Sequence, residues 1–95
     1  IRVVYMQVES SISNAAASIL ISVPKKKFKR AVKRNLVKRQ IREAYRKNKH
    51  ILLNKLQGSD KQLIIAFIWL DSKIYPSSVV EERVKRLLLH IGDKL

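Results

Sequence analysis

The residues of this chain that are most able to do chemistry are bases crowded into one short stretch. Between positions 25 and 49, thirteen of the twenty-five residues are Lys or Arg, and Glu43 is the only acid among them. The 95-residue chain has a formal net charge of +14, and nearly all of that excess lies in this stretch. Self-repulsion on this scale indicates a polyanionic partner, because an ordinary protein surface mixes its charges.

The acids and histidines form no recognisable catalytic pattern. Metal-assisted cleavage of a phosphodiester needs several carboxylates around ions about 4 Å apart, and the 7 acids of this chain form no cluster in the sequence. A nuclease without a metal needs a paired acid and base, and nothing in the sequence pairs His50 with His90. Zero cysteines exclude disulfides and thiolate chemistry. We therefore predict no catalytic residue, no metal bound by the protein, and no activity from the chain alone.

Three segments have the pattern of β-strands. Residues 2–8 and 17–23 alternate in the manner of half-buried strands, and Pro24 ends the second one. The third strand, at residues 62–70, is a nearly continuous apolar run, so we expect both of its faces to be covered. This run is far too short to cross a bilayer.

Two segments have the pattern of helices. One long helix is predicted from about residue 31 to about residue 56, with Gly58 as its stop. The last helix begins within Pro76-Ser77-Ser78, has Ser78 and Glu81 in capping-box spacing, and closes at Gly92. The resulting order, β-β-α-β-α, predicts a small two-layer α+β sandwich. We expect residues 1–95 to be one domain, and we expect its N-terminal part to be absent because the chain enters a strand at once without an initiator Met.

The long helix separates its apolar and basic side chains onto two faces. At about 100° per residue, one face is an apolar stripe formed by Val37, Ile41, Ala44, Tyr45, Ile51 and Leu52. Beside it runs a file of hydrogen-bond donors, called the basic file below, formed by Asn35, Lys38, Arg39, Arg42, Arg46 and Lys49. Like charges four residues apart on a helix cost about 0.2–0.5 kcal/mol per pair. A file that accepts this cost predicts binding to nucleic acid or another polyanion.

Ten residues at fixed spacing resemble the signature of the bacterial ribonuclease P protein family. In that family two lysines precede Ala-Val-x-Arg-Asn, which is followed by x-x-Lys-Arg-x-x-Arg-Glu. The matching residues here are Lys26, Lys27, Ala31, Val32, Arg34, Asn35, Lys38, Arg39, Arg42 and Glu43. Two positions depart from the family pattern: Lys29 stands where a glycine is usual, and Leu36 replaces the last residue of an Arg-Asn-Arg motif.

The resemblance implies the protein subunit of an endoribonuclease whose catalytic RNA, with Mg²⁺, removes the 5′ leader from precursor tRNA. The implied partners are therefore the catalytic RNA and precursor tRNA, and the implied location is the cytoplasm. Resemblance also implies a ribosomal-protein-like fold with a left-handed βαβ crossover, and a cleft for the single-stranded leader in which Tyr5 is the aromatic position. Together with the basic loop and file, it predicts these RNA-binding residues: Lys26, Lys27, Lys29, Arg30, Arg34, Asn35, Lys38, Arg39, Arg42 and Arg46.

Several alternatives remain open from the sequence. A ribosomal or other structural RNA-binding protein of similar fold would share this composition, although the spacing across residues 26–43 favours ribonuclease P. Tyr5 would also suit a position packed under a helix, and Asn35 a helix cap or a polar surface. A membrane-surface helix is disfavoured because the apolar stripe is needed for the core. We predict no membrane attachment and no obligate protein partner.

Overall fold

A computed structural model describes residues 1–9, 17–56 and 61–94. It contains the strands β1 (Arg2–Glu9), β2 (Ala17–Ser22) and β3 (Lys61–Ile68), and the helices α1 (Ala31–Asn48), α2 (His50–Leu56) and α3 (Ser77–Lys94). The predicted α+β class and order of strands are confirmed, but the predicted long helix is divided into α1 and α2. Its predicted stop at Gly58 lies outside the described residues.

The three strands form one sheet in the order β1-β3-β2, with β3 in the centre. β1 runs antiparallel to β3, with Tyr5 opposite Ile65, whereas β2 runs parallel to β3, with Ile19 opposite the same residue. Because parallel neighbours need a crossover connection, α1 and α2 form the link between β2 and β3. The hand of this crossover stays a prediction.

The helices cover one face of the sheet. Leu63, Ile65 and Phe67 alternate along β3 and are fully buried on that face, together with Trp69 just beyond the strand. Val80 and Val84 of α3 are equally buried, as are Val37 and Ile41 of α1. The hydrophobic core therefore lies in a single layer between the sheet and the helices.

The opposite face of the sheet remains open in the described part of the chain. Val4, Met6 and Leu20 keep 49%, 58% and 64% of their surface exposed. On the central strand, Ile64 and Ile68 are only half-buried. The expectation that both faces of β3 are covered is therefore wrong for the described residues: the apolar run lacks alternation in sequence, but only one layer of helices packs against it in that part of the chain.

Asn48 lies at the break between α1 and α2. Its side chain is almost fully buried, and Nδ2 donates a 2.8 Å hydrogen bond to the carbonyl of Ala44. That carbonyl is also the one that the Asn48 backbone amide uses in a continuous helix, and its two lone pairs can accept both bonds. Lys49 follows with near-helical dihedrals, and its carbonyl accepts bonds from the amides of Leu52 and Leu53 at the start of α2.

The predicted start of α3 is confirmed, but its predicted capping box and its predicted stop at Gly92 are wrong. The carbonyl of Pro76 accepts the first helical bonds, from the amides of Val79 (3.0 Å) and Val80 (3.2 Å). Pro76 therefore occupies the N-cap position, and Ser78, which lies inside the helix, cannot form the predicted capping box. Gly92 does not end α3 either, because it is buried against α2 and the helix continues to Lys94.

The apolar stripe predicted for the last helix is confirmed. Val80, Val84, Leu88 and Ile91 are buried, and Leu87 is half-buried. Among the described residues, no helix combines the length and the apolarity needed to cross a membrane.

Candidate nucleic-acid interface

Helix α1 has the two faces that its sequence predicts. Val37, Ile41 and Ala44 are buried in the core, and α2 extends this stripe through the buried Leu52. Tyr45 and Ile51 are half-buried, and burial raises the pKa of Tyr45. On the outer side, the exposed members of the basic file are Asn35, Arg39, Arg42, Arg46 and Lys49, whereas Lys38 is half-buried. The packing of one face thus fixes the direction in which the other face presents its bases.

One member of the basic file is paired with an acid of the same chain. Arg46 bonds to Glu43 with 2.5 Å between Nη2 and Oε1, and this contact lowers the pKa of Glu43 and raises the pKa of Arg46. Both side chains are solvent-exposed, so the pair contributes little to stability. The other ion pair in the described part of the chain, Arg86 with Glu82, lies on α3. No other base of α1 forms an ion pair within that part, so the file keeps most of its positive charge.

A basic loop, residues 25–30, leads into α1. It carries five bases and one aromatic residue, Phe28, which is only 6% exposed and packs in the core. A turn precedes Phe28, in which the amide of Lys27 donates to the carbonyl of Pro24 at 3.0 Å. Burial of Phe28 therefore anchors the loop while its exposed neighbours, including Lys29, point away from the core.

Arg34 ties the same loop to α1. Its Nη1 donates to the carbonyl of Phe28 at 2.8 Å and to the carbonyl of Lys29 at 3.0 Å. Sequence reasoning placed Arg34 only among the RNA-binding bases and missed both this contact and the anchor at Phe28. A single aromatic residue in a run of lysines was the available signal for the anchor.

The N-terminus of α1 has no neutralising group. Its N-cap residue, Arg30, makes no side-chain capping bond, and the first turn contains no acid. The free N–H groups and the positive end of the helix dipole therefore face a loop that is itself basic. Such a terminus is stabilised when an anion binds beside it.

The remaining predicted site residues lie on two parts of the molecule. Lys26, Lys29 and Arg30 are exposed on the loop, and Lys27 is half-buried. Tyr5 lies elsewhere, on the edge strand β1, where it is half-buried and packs against the core on the helix-covered face. This is the face opposite Val4 and Met6, as the alternation predicts. The structure thus brings the loop and α1 together and leaves Tyr5 apart, and each RNA-contacting role stays a prediction.

A groove of about 420 Å³ separates α1 from the start of α3. Gln40 fixes its geometry, since Nε2 donates to the carbonyl of Tyr75 at 2.9 Å and to Oγ of Ser77 at 3.3 Å. The groove carries both signs of charge, with Arg39 and Lys47 on one side and acids on both helices. Its edge at Arg39 is shared with the basic file, and sequence patterns gave no indication of the Gln40 contact.

A second small basic surface lies on α3. Tyr75 donates a hydrogen bond to Asp71, packs edge-on to Trp69 with 6.0 Å between ring centroids, and has the guanidinium of Arg83 4.5 Å from its own ring centroid. The hydrogen bond between Tyr75 and Asp71 lowers the pKa of Asp71 and raises the pKa of Tyr75. Arg83 and Arg86 also line a cleft of about 290 Å³ beside Ile1. Sequence reasoning missed this surface because acids are interspersed with the bases of α3.

Possible metal ligands form no cluster within the described ranges. No group of three or more His, Cys, Asp or Glu residues with the geometry to hold a metal ion is found there. His50 and His90 are both exposed, on α2 and α3 respectively.

Comparison with known proteins identifies similar chains. The family model described as Ribonuclease P matches residues 2–92. Two proteins named "Ribonuclease P protein component", from two strains of Porphyromonas gingivalis, are each 44% identical to this chain over 95 residues. Each alignment covers 100% of this chain and 69% of the relative. No solved structure was found to match the chain.

Proposed function

Because the chain belongs to the ribonuclease P protein family, we propose that it binds the catalytic RNA through the basic loop and the basic file of α1. It is the protein subunit of ribonuclease P, a ribonucleoprotein that processes tRNA. The observation that carries the proposal is the file itself: exposed bases on a packed helix, of which only Arg46 is paired with an acid within the described residues.

The geometry of α1 suits a phosphate backbone. Arg39, Arg42 and Arg46 follow one another at intervals of about 4.5 and 6 Å along the helix axis. Each guanidinium presents a planar fork of donors that matches phosphate oxygens. The buried stripe holds the helix in place, so the RNA meets side chains whose backbone is already ordered. Binding then releases counterions from the RNA, which makes the affinity strongly dependent on salt.

Catalysis belongs to the RNA in this proposal. The protein supplies affinity and position, precursor tRNA is the substrate of the assembled ribonucleoprotein, and Mg²⁺ serves the RNA. The dispersed acids support this division, since no metal-binding group is found among the described residues. By the same argument the chain alone leaves precursor tRNA intact. A cytoplasmic location, with no membrane attachment and no obligate protein partner, completes the proposal.

We assign the 5′ leader to the edge of the helix-covered face. Tyr5 is half-buried there, so part of the residue remains accessible on the strand that forms the edge of the described sheet. An aromatic ring stacks on an unpaired base without selecting its identity. Ile1, two strand repeats away on the same face, borders the cleft lined by Arg83 and Arg86, and these cations would hold the leader's phosphates.

Reconstitution tests the proposal. Precursor tRNA is incubated with the chain alone, with a matching catalytic RNA alone at low Mg²⁺, and with both together. We expect cleavage at the mature 5′ end only in the combined reaction, because the cations of the protein replace part of the screening that Mg²⁺ would provide. Cleavage by the protein alone would refute the assignment of catalysis to the RNA. Equal cleavage with and without the protein would refute its role as a subunit that assists the RNA.

A further inference from the structure

We propose that Arg34 is a positioning residue: it holds the basic loop in its RNA-binding shape through the loop's carbonyls and is not itself a phosphate ligand. This inference rests on the proposed function, because it assigns a task to one residue of the same interface. Arg34 is one of the bases that the sequence pattern assigns to RNA contact, so the two roles make different predictions.

The contacts of Arg34 point inward, toward its own chain. Nη1 donates to two successive carbonyls, those of Phe28 and Lys29, at 2.8 and 3.0 Å. The residue is half-buried, unlike Arg39 and Arg42, which lie exposed on the same helix. A hydrogen bond from a charged donor is stronger than one between neutral groups, so these bonds are suited to hold the loop.

The loop needs such a clamp because its own charges repel one another. Five bases occupy residues 25–30, and the loop contains no acid. Backbone carbonyls are the negative ends of dipoles that remain available there, and Arg34 binds two of them. Phe28 provides the other attachment, through its burial in the core. The loop is therefore fixed at residue 28 by its side chain and at residues 28 and 29 by its carbonyls.

The consequence is that several phosphate contacts depend on one arginine. If the clamp is lost, the exposed side chains of Lys26, Lys29 and Arg30 spread under their mutual repulsion and no longer present a fixed set of donors. The slope of log K against log[salt] is negative. Loss of one phosphate ligand reduces the magnitude of this slope by about one. Loss of a clamp that orders several ligands reduces the magnitude by more than one.

The experiment measures salt dependence of binding to the catalytic RNA. Variants are Arg34→Ala, the matched control Arg39→Ala, the loop variant K26A/K29A, and the loop variant combined with Arg34→Ala. We expect Arg39→Ala to reduce the magnitude of the salt slope by about one, and Arg34→Ala to reduce it by two or more. We also expect Arg34→Ala to have a much smaller effect in the loop-variant background, since coupled residues are not additive.

Amide hydrogen exchange of the free protein gives a second readout. In Arg34→Ala, exchange at residues 25–30 should accelerate while the buried turn around Val37 and Ile41 keeps its protection. Unchanged exchange in the loop would overturn the proposal, as would a slope change equal to that of Arg39→Ala with full additivity in the loop background. If Arg34→Ala does not fold, Arg34→Gln is measured in the same series under the same criteria.

Failure of this inference is distinguishable from failure of the proposed function. A wild-type protein whose RNA binding does not respond to salt would refute electrostatic binding altogether. A steep wild-type response with additive Arg34 and loop effects would leave the interface intact and remove only the positioning role.

Discussion

The variant R39A/R42A removes two exposed cations from the centre of the basic file. Neither side chain is paired with an acid in the described part of the chain. Each phosphate contact contributes a slope of about 0.7–0.9 in log K against log[salt], which corresponds at 0.15 M salt to roughly 0.6–0.75 decades of affinity. Loss of both contacts should therefore weaken binding to the catalytic RNA by about 15- to 30-fold, or roughly 2 kcal/mol.

Folding should be unaffected or slightly improved by the same variant. Arg42 lies four residues from both Lys38 and Arg46. Its replacement removes both like-charged pairs, and each pair costs about 0.2–0.5 kcal/mol. The melting temperature should then stay level or rise by a few degrees, as expected for a stabilisation below about 1 kcal/mol in a domain of this size. The assay is fluorescence anisotropy with labelled RNA at several salt concentrations, beside a thermal melt of the free protein.

The matched control, K85A/K94A, removes two exposed bases from α3. It changes the net charge by the same amount but should leave most of the affinity and the salt slope in place. Equal losses in the two variants would refute the argument, because binding would then depend on total charge and not on the face of α1. A parallel collapse of the melting temperature in R39A/R42A would show that these arginines support the fold.

Three further variants test the framework that holds the file. Asn48→Ala should lower the free energy of unfolding by about 1 kcal/mol, measured by urea denaturation, because its buried bond to an α1 carbonyl is lost. Asp71→Asn should flatten the fall of melting temperature in acid: the hydrogen bond from Tyr75 lowers the pKa of Asp71, so its stabilisation is present above an ordinary aspartate pKa and lost as the pH falls through the lowered value. Gly92→Ala should raise the free energy of unfolding by up to about 1 kcal/mol, because the added Cβ would meet Ile51 and Leu52 only at 3.8 and 3.9 Å.

Each of these variants has a control on the same chain. Asn54→Ala changes an exposed asparagine of α2 and should leave the urea midpoint in place; equal effects at positions 48 and 54 would contradict the buried-bond argument. Tyr75→Phe removes the hydrogen-bond donor to Asp71 and should flatten the acid profile in the same way; a wild-type profile in Asp71→Asn would remove the assigned role of that carboxylate. Gly92→Leu should destabilise the packed contact between α2 and α3, and a destabilising Gly92→Ala would show that there is no room for a methyl group.

Helical periodicity predicted which side chains of α1 are buried, but it gave no information on the hydrogen bonds that individual polar side chains form. Val37, Ile41 and Ala44 could be placed in the core because a period of 3.6 residues leaves one face for them. The break after Asn48 and the bond of its buried side chain to the Ala44 carbonyl could not be placed, because one polar contact leaves no periodic pattern in the sequence. The same holds for Arg34, whose charge was visible in the sequence but whose partners were not.

Tertiary partners account for the other errors. The apolar run of β3 predicted two covered faces, but the sequence of one strand does not determine how many layers pack against the sheet. Ser78 and Glu81 had the spacing of a capping box, yet the carbonyl of Pro76 starts α3. Gly92 is the residue type that commonly ends a helix, but here it packs against α2 and α3 continues to Lys94.

Lysine footprinting of the complex tests the central claim most directly. Exposed amines are modified with a lysine-specific reagent in the free protein and in its complex with the catalytic RNA, and the modified positions are quantified by mass spectrometry. We predict protection of Lys26, Lys29 and Lys38 and unchanged reactivity of Lys85 and Lys94. Protection confined to α3, or spread evenly over both sets, would contradict an interface formed by the basic loop and the outer face of α1.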